Sequence, residues 1–251
     1  MRRIAILVVA CCAVWVGGCG GDDSGNGSDT TTTGLSNAGS TLPQGSDPVE
    51  LGPADFTTEI DNPYWPMARG NRWVSRSDTE RIVVEVTNRE KDVAGIEAVV
   101  VRDTVTDNNG DLVEVTDDWY AQDADGNIWY LGEDVKDYQD GRVVSTAGSW
   151  EHGVDGALGG IAIPADPRPA LEYRQEHYEG EAEDRAEVLS VTERVRVPGG
   201  TFETCLKTRD TTPLEPDAVE HKYYAKDVGP VLNEKVSPDR GREELISFTV
   251  E

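Results

Sequence analysis

The side chains best suited to chemistry in this chain are its histidines and the tyrosines near two of them. Around position 177 the sequence alternates as a β-strand does, which puts His177 on the same face as Tyr173. The same alternation puts His221 on the face of Tyr223. We therefore predict that these four residues point into the domain and line a ligand-binding surface.

The same inward faces could form a zinc-type site, which takes about three or four N, S or O ligands. Glu179 and Glu181 would continue the face of His177. The sequence has no close-spaced ligand pair such as H-x-x-x-H or C-x-x-C to start such a site. Two core histidines that are hydrogen-bonded separately are the alternative. We expect no metal and no cofactor.

A run of acidic and amide residues at 123–127 is a candidate calcium loop. Asp123, Asp125 and Asn127 bring three oxygen-bearing side chains into one turn, and Ca²⁺ is bound by oxygen ligands. The EF-hand pattern needs a Glu several residues later, whereas Ile-Trp-Tyr follows at 128–130 and is typical of a strand. A plain β-hairpin turn is the alternative.

The four cysteines lead to one free thiol. Cys11 and Cys12 lie in an N-terminal apolar run, Cys19 follows it, and Cys205 lies far downstream. If the run is removed and Cys19 is acylated, no intramolecular disulfide can form. Cys205 could be a nucleophile, but it has no adjacent base in the sequence, so we expect a packing role.

Catalytic signatures are missing from the sequence. It contains no G-x-S-x-G elbow, G-x-G-x-x-G loop or Walker loop. The 48 acidic residues allow too many carboxylate pairs for any one pair to be diagnostic. We therefore predict a protein that is not an enzyme. A hydrolase that uses inward His and acidic residues is the alternative.

The N-terminus has the layout of a secretory signal peptide. Arg2 and Arg3 precede an apolar run at 4–16. This run is too short to span a bilayer, because a spanning helix needs about 20 residues. The run ends in Val16-Gly17-Gly18-Cys19, which resembles the lipobox of bacterial lipoproteins. The resemblance implies cleavage before Cys19 and lipid attachment there, palmitate included. An uncleaved anchor is the alternative.

Composition divides the chain into three parts. We predict a lipoprotein signal peptide at 1–18, a lipidated Cys and disordered Gly/Ser/Thr/Asp-rich tether at 19–50, and one globular domain at 51–251. The net charge of −25 argues against nucleic-acid partners and favours a soluble monomer.

Strand signals recur throughout the domain. The segments are 81–86, 97–101, 113–119, 128–131, 171–178, 187–197, 202–209, 219–226 and 245–250. Hairpin turns are predicted at 107–110, 123–127 and 139–141, a short helical turn at 55–60, and a long ordered loop at 148–169.

The pattern predicts an all-β fold with few short helices. Successive hairpins make an antiparallel meander, which would form a half-barrel or an up-and-down barrel. A two-sheet sandwich is the second choice. At 113–119, Val113, Val115 and Trp119 alternate with Glu114, Thr116 and Asp118, as expected of a strand with one wet face.

Across the domain, the sequence is similar to a group of uncharacterised bacterial secreted lipoproteins. The shared residues are Asp55-Phe56, the run from Ile60 to Pro66, Gly70 and Trp73, Trp119 to Asp123, Gly126-Asn127, Trp129-Tyr130, Gly132-Glu133, Pro164 to Pro167, Gly180 to Asp184, Gly200 to Phe202, Pro213 to Pro216, Glu220 to Ala225 and Val228-Gly229. The sequence departs from the pattern at Met67-Ala68-Arg69. The resemblance implies an envelope location and a shared fold, and it supplies no activity.

These observations favour a membrane-anchored envelope lipoprotein whose β-domain binds a small molecule, a glycan or another envelope protein. The Trp and Tyr residues suit a cavity wall, a glycan platform or a barrel core. A lipid carrier with a hollow half-barrel is a further alternative. It would need a large apolar cavity.

Overall fold

The computed structural model describes residues 42–250, and this part of the chain is built of strands. It has one 3-10 turn, Pro53–Asp55. The strands are β1 (Phe56–Thr57), β2 (Arg72–Arg76), β3 (Glu80–Val93), β4 (Ile96–Asp107), β5 (Leu112–Asp123), β6 (Ile128–Gln139), β7 (Arg142–Ser145), β8 (Trp150–Glu151), β9 (Leu158–Ile163), β10 (Glu172–Arg174), β11 (Glu176–His177), β12 (Arg185–Val197), β13 (Gly200–Thr211), β14 (Val219–Ala225), β15 (Gly229–Ser237) and β16 (Gly241–Thr249).

The predicted signal peptide at 1–18, the lipidation site Cys19 and most of the predicted tether lie outside the described residues. Within residues 42–250, no helix is both long and apolar enough to cross a membrane.

All the strands belong to one antiparallel sheet that is nearly closed into a barrel. Its order is β10-β12-β13-β14-β15-β16-β2-β3-β4-β5-β6-β9-β11, with β1 on β5 and with β7 and β8 on β6. The two end strands, β10 and β11, are consecutive in the chain and are separated by Gln175 alone. The chain therefore passes directly from one edge of the sheet to the other. The predicted all-β antiparallel meander is confirmed in its barrel form, and the two-sheet sandwich is not formed.

One tryptophan identifies the inward side of the sheet. Trp65 contacts the rings of Trp73, Tyr120 and Tyr224 at centroid distances of 6.4, 5.3 and 6.1 Å. These rings come from β2, β5 and β14, which are far apart in the strand order. Their side chains can meet on one ring only if they converge inside the barrel. Because Trp65 is 1% exposed, it fills this end of the interior as an aromatic plug.

The hairpin turns form where they were predicted. Asp107 and Asp123 end their strands and accept backbone N–H groups from the turn, for example Asn109 N at 2.8 Å and Asn127 N at 2.8 Å. Glycines follow with positive φ, 87° at Gly110 and 94° at Gly126, a conformation that glycine adopts without steric cost.

The predicted loop at 148–169 is wrong, because this segment contains β8 and β9. Strand β9 pairs with β6 and β11 and is almost wholly buried. Its glycines led to the misreading. A Cβ on Gly160 would collide with the carbonyl O of Arg174 and lie 2.6 Å from Gln175 C. The glycines therefore permit close strand packing and do not mark a loop.

Two other sequence boundaries also need correction. The helical turn predicted at 55–60 is a 3-10 turn that ends at Asp55, and β1 follows it. The single strand predicted at 171–178 is two short strands, because β10 pairs with β12 whereas β11 pairs with β9. The break at Gln175 is where the chain changes edges.

Residues 42–50 were assigned to the tether, but they pack on the domain. The carbonyl of Pro43 accepts a hydrogen bond from Arg174 N at 2.7 Å, and Gln44 Nε2 donates to Glu172 O at 2.6 Å. Arg174, which is 1% exposed, donates Nη1 to Gly45 O and Asp47 O at 2.8 and 2.7 Å. We call residues 42–47 the strap. The strap therefore packs as part of the domain, although it lies before the predicted boundary at residue 51.

Candidate functional site

The barrel interior changes from aromatic to polar along its length. On β5, Glu114, Thr116, Asp118 and Tyr120 occupy every second position, so their side chains lie on the same, inward face of the strand. All of them are buried. The face predicted to be wet is therefore the interior of the barrel, whereas Val113 and Val115 are only half-buried on the outer face. The alternation was predicted correctly, but the side assigned to the acidic residues was wrong.

The strand register brings polar residues of other strands to the same interior space. Asp118 lies opposite Glu133 on β6, and Asp103 on β4 lies opposite Thr116. Across the barrel, Lys222 lies opposite Asn233. Eight of the buried acidic residues, which we call the interior carboxyl groups, are Asp103, Glu114, Asp118, Glu133, Glu176, Asp184, Asp210 and Glu243; each is at most 8% exposed.

One buried ammonium group accompanies these carboxyl groups in the described part of the chain. Lys222 Nζ lies 2.9 Å from Asp210 Oδ2, with only 10% and 5% of the two side chains exposed. Thr208 Oγ1 donates to Asp210 Oδ1 at 2.6 Å. Burial opposes the charge on Lys222, but the negative charge of Asp210 outweighs that effect. The pKa of Lys222 is therefore raised well above its usual value. This ion pair is neutral overall, and none of the other interior carboxyl groups forms an ion pair within residues 42–250, although Lys222 acts to lower the pKa of Asp184 and Glu243.

Burial therefore keeps several interior carboxyl groups protonated near neutral pH. It raises the pKa of Asp118 to about 8, against the opposing hydrogen bond from Tyr130. It also raises the pKa of Glu114 and of Asp184 to about 7. The pKa of Asp103 is raised well above its usual value by burial and then by the charge of Asp118. A protonated carboxyl group can donate as well as accept a hydrogen bond.

Several buried polar atoms in the interior have no partner among residues 42–250. They include the hydroxyl groups of Tyr120 and Tyr173 and one oxygen each of Glu133, Asp184 and Glu243. Leaving a buried donor or acceptor unsatisfied costs on the order of 1–3 kcal/mol. A folded domain does not carry so many such costs in one place unless water or a ligand meets these atoms.

A small cavity opens beside Lys222 on the inward side of β2, β14, β15 and β16. Its volume is about 40 Å³. Its lining residues are Trp73, Ser75, Val84, Lys222, Tyr224, Pro230, Val231, Leu232, Asn233 and Glu243. Its wall combines the rings of Trp73 and Tyr224 with the polar side chains of Ser75, Lys222, Asn233 and Glu243. It can hold a small polar group.

A second, open groove of about 700 Å³ lies on the outer face near β3, β5 and β8. Its charges are already paired. Arg89 and Arg102 both bind Asp117 through two hydrogen bonds of 2.6 to 2.9 Å. Burial would raise the pKa of Asp117, but these bonds outweigh it and lower the pKa. Lys91 lies over the Trp119 ring and binds Glu151 at 3.0 Å. The groove therefore offers few free groups to a ligand.

The structure does not bring the four predicted ligand-binding residues together. Tyr173 is 1% exposed and lies in the interior near Lys222 and Tyr224, as the shared electrostatic effects on its pKa show. His221 and Tyr223 share a face, as predicted, but it is the face opposite Lys222. There, Tyr223 donates to Glu234 Oε2 at 2.8 Å, and Glu234 also binds Arg242. Alternation from Glu176 turns His177 outward as well.

The candidate calcium loop forms the hairpin between β5 and β6. Asp123 Oδ2 accepts hydrogen bonds from Asn127 Nδ2 and Trp129 Nε1, both at 2.8 Å. Asn127 Oδ1 accepts from Ala165 N at 2.8 Å. These oxygens serve the turn itself, which supports the hairpin alternative. Within residues 42–250, no group of three or more His, Cys, Asp or Glu residues is placed to hold a metal ion.

Cys205, the candidate nucleophile, and the third histidine, His152, both have surroundings that fit a structural role. Cys205 is a free thiol that is fully buried, and burial raises its pKa to about 11, which is consistent with packing. His152 accepts a hydrogen bond from Gly159 N at 2.9 Å through Nδ1, and burial lowers its pKa.

Comparisons with known proteins give limited guidance. No protein-family model matches the chain, and no curated protein matches its sequence. A solved structure from Bacteroides fragilis, described as a candidate exported protein with a YmcC-like fold, is 17% identical, covers 74% of this chain and 99% of its own, and has a TM-score of 0.41. A candidate lipoprotein from Parabacteroides distasonis is 13% identical, covers 74% and 98%, and also has a TM-score of 0.41. Likenesses at this level supply no function.

Proposed function

We propose that this chain is an exported lipoprotein, anchored through Cys19, whose barrel binds a small polar ligand in its interior. The anchor is supported by the apolar run at 4–16 and by the tetrad that ends at Cys19. Two or more acyl chains on that residue would hold the domain stably at a membrane surface.

The observation that carries the binding role is the set of unsatisfied polar atoms in the barrel interior. Tyr120, Tyr173 and several of the interior carboxyl groups have buried polar atoms with no hydrogen-bond partner within residues 42–250. Such groups cost stability unless something hydrogen-bonds to them. A binding protein accepts that cost because the ligand later satisfies the same groups.

The other functions considered from the sequence fit this interior less well. A lipid carrier needs an apolar lumen, but the interior carboxyl groups line this one. A hydrolase that pairs histidine with inward acids would need a free histidine inside, whereas His177 and His221 lie on outer faces and Nδ1 of the buried His152 already accepts a hydrogen bond from Gly159 N. We therefore propose a function that is not enzymatic.

Native mass spectrometry of the full chain, purified from membranes in a mild detergent, tests this proposal. We expect a bound molecule of one defined mass that is lost on denaturation. The variants Asp118→Asn and Lys222→Met should reduce its occupancy, because both change the polar interior. Asp134→Asn is the matched control, since Asp134 lies on the next strand with 46% of its side chain exposed.

A wild-type protein that carries no bound molecule would contradict the proposal if its crystal structure at neutral pH also showed an interior filled by water alone. Equal occupancy in the interior variants and in the control would contradict it as well.

A further inference from the structure

The cavity beside Lys222 limits the size of what can occupy it. Its volume of about 40 Å³ is room for roughly three water molecules, since each needs about 10–15 Å³. A sugar ring or an acyl chain does not fit in that space. An occupant must be small, or it must reach in with a narrow end.

Two hydrogen-bond acceptors at this cavity have no partner within residues 42–250, whereas the donor Lys222 is already paired with Asp210. Glu243 Oε2 is buried, in a side chain that is 8% exposed, and no group within residues 42–250 donates to it. Asn233 lies directly opposite Glu243 in the register, and its Oδ1 is also buried without a partner. Asn233 Nδ2 is already used, because it donates to Glu220 Oε2 at 3.1 Å. An occupant that donates hydrogen bonds would satisfy both of these acceptors.

The charges and rings around the cavity favour a positively charged donor. Lys222 is paired with Asp210 at 2.9 Å, whereas Glu243 forms no ion pair within residues 42–250, so Glu243 is the lining group that can supply a negative charge once it loses its proton. The rings of Trp73 and Tyr224 form part of the wall. Aromatic faces attract cations, and hydrogen bonds between an ammonium group and a carboxylate are among the strong ones.

We infer that this cavity binds the primary ammonium group of a small aliphatic amine, held by Glu243 and Asn233 against Trp73 and Tyr224. An ammonium group has three N–H donors that point in different directions, which suits acceptors on two strands. This inference rests on the proposed function and names the ligand class of the same interior.

Binding should be linked to pH through Glu243. Burial, together with the charges of Glu220 on β14 and Glu80 on β3, raises its pKa to about 8, although Lys222 and a hydrogen bond from Ser75 on β2 act to lower it. Near neutral pH the carboxyl group holds a proton. The ammonium ion displaces this proton to solvent and keeps its own protons, so the affinity should rise with pH.

Isothermal titration of methylammonium chloride into the full chain in detergent tests the inference. We expect saturable binding of one ion per chain at about pH 8.5 and at least about tenfold weaker binding at about pH 6.5. Trp73 lies in the wall, so tryptophan fluorescence should change with the same midpoint. Methanol and potassium chloride are the control titrants, because they lack either the charge or the N–H donors.

Two variants test the site, with circular dichroism to check the fold. Glu243→Gln should weaken methylammonium binding by about tenfold or more, because a charge-assisted hydrogen bond is lost. Asn233→Leu removes the second acceptor and should also weaken it. Glu244→Gln is the matched control: its side chain points to the outer face, where Arg242 binds it at 3.0 Å.

The inference is overturned if the wild type shows no saturable methylammonium binding, if Glu243→Gln binds as well as Glu244→Gln, or if potassium competes equally. If native mass spectrometry still detects an interior ligand in that case, only the ammonium assignment fails. If it detects none, the proposed function fails with it.

Discussion

The hydroxyl of Tyr130 donates a hydrogen bond to Asp118 Oδ1 at 2.8 Å in the middle of the barrel. Tyr130 also stacks on Tyr120 at 5.0 Å and meets the edge of Trp150 at 5.3 Å. The pair therefore joins the aromatic end of the interior to its polar end. The hydrogen bond gives Asp118 Oδ1 a partner, and Asp118 is one of the most deeply buried acidic residues. Substitutions of Asp118 therefore test the interior directly.

Stability should fall as the pH rises from about 4 to about 8. Burial raises the pKa of Asp118 and of Glu243 to about 8, so the folded chain keeps protons that the unfolded chain releases. This stabilisation is complete below the unfolded pKa and is lost as the pH passes the folded pKa. Urea denaturation across this pH range measures it.

Asp118→Asn should flatten this pH profile, because an amide stays neutral at every pH. The variant should gain stability relative to the wild type between about pH 5 and pH 8. Asp134→Asn, on the exposed face, should leave the slope unchanged. A wild-type stability that rises steadily with pH over this range would show that the interior acids are ionised and paired.

Arg174→Met should release the strap. Arg174 binds Gly45 O, Asp47 O and Gly159 O at 2.7 to 2.9 Å, and methionine cannot donate to any of them. We expect a loss of about 3 kcal/mol in the free energy of unfolding and faster proteolysis within residues 42–50. Arg168→Met is the control, since 70% of the Arg168 side chain is exposed. Equal protease resistance in both variants would contradict this role.

Gly132→Ala should destabilise the barrel. At Gly132 φ is +139°, and a Cβ would collide with the carbonyl O of Trp150 and lie 2.9 Å from the Trp119 ring. We expect a loss of about 3 kcal/mol or more, measured by thermal and urea denaturation. Gly141→Ala also has positive φ but meets no atom within 4 Å, so it isolates the backbone cost. Similar losses in the two variants would mean that the collision is relieved.

Cys205 should be unreactive in the folded protein. It is 0% exposed, and burial raises the pKa of its thiol to about 11, so little thiolate exists near neutral pH. Iodoacetamide should label it only after denaturation. Rapid labelling of the native protein at neutral pH, compared with a Cys205→Ser control, would reveal an accessible thiolate.

Cys19→Ala should abolish lipid attachment and signal-peptide processing. Cys19 is the cysteine that follows Val16-Gly17-Gly18, and its thiol is the proposed acylation site. Metabolic labelling with a radioactive fatty acid measures attachment, with Cys205→Ser as the control. Label retained by the Cys19→Ala protein would rule out this site.

Much of the fold could be predicted because strand alternation and turn residues are local signals. The hairpins at 107–110 and 123–127 depend on Asp, Asn and Gly within a few residues. Strand β9 was missed because Gly160 serves a close contact with Gln175, between β10 and β11. A local sequence pattern does not reveal such a contact.

The interior site could not be predicted for a related reason. Alternation shows that Glu114, Thr116 and Asp118 share a face, but the side of the sheet that closes on itself is a property of the whole barrel. Only the convergence of Tyr120 and Tyr224 on Trp65 reveals it. His221 and Tyr223 were placed on a common face correctly and turned to the wrong side for the same reason.

The strap has a mechanical consequence. It caps β10, where the two edges of the sheet meet through a single residue, and it does so with the carbonyl of Pro43 and the side chain of Gln44. Tension applied from the N-terminal side of the strap would therefore act at this edge of the sheet and not at a hairpin. Pulling in that direction should load the short strand β10 before the long strand ladders.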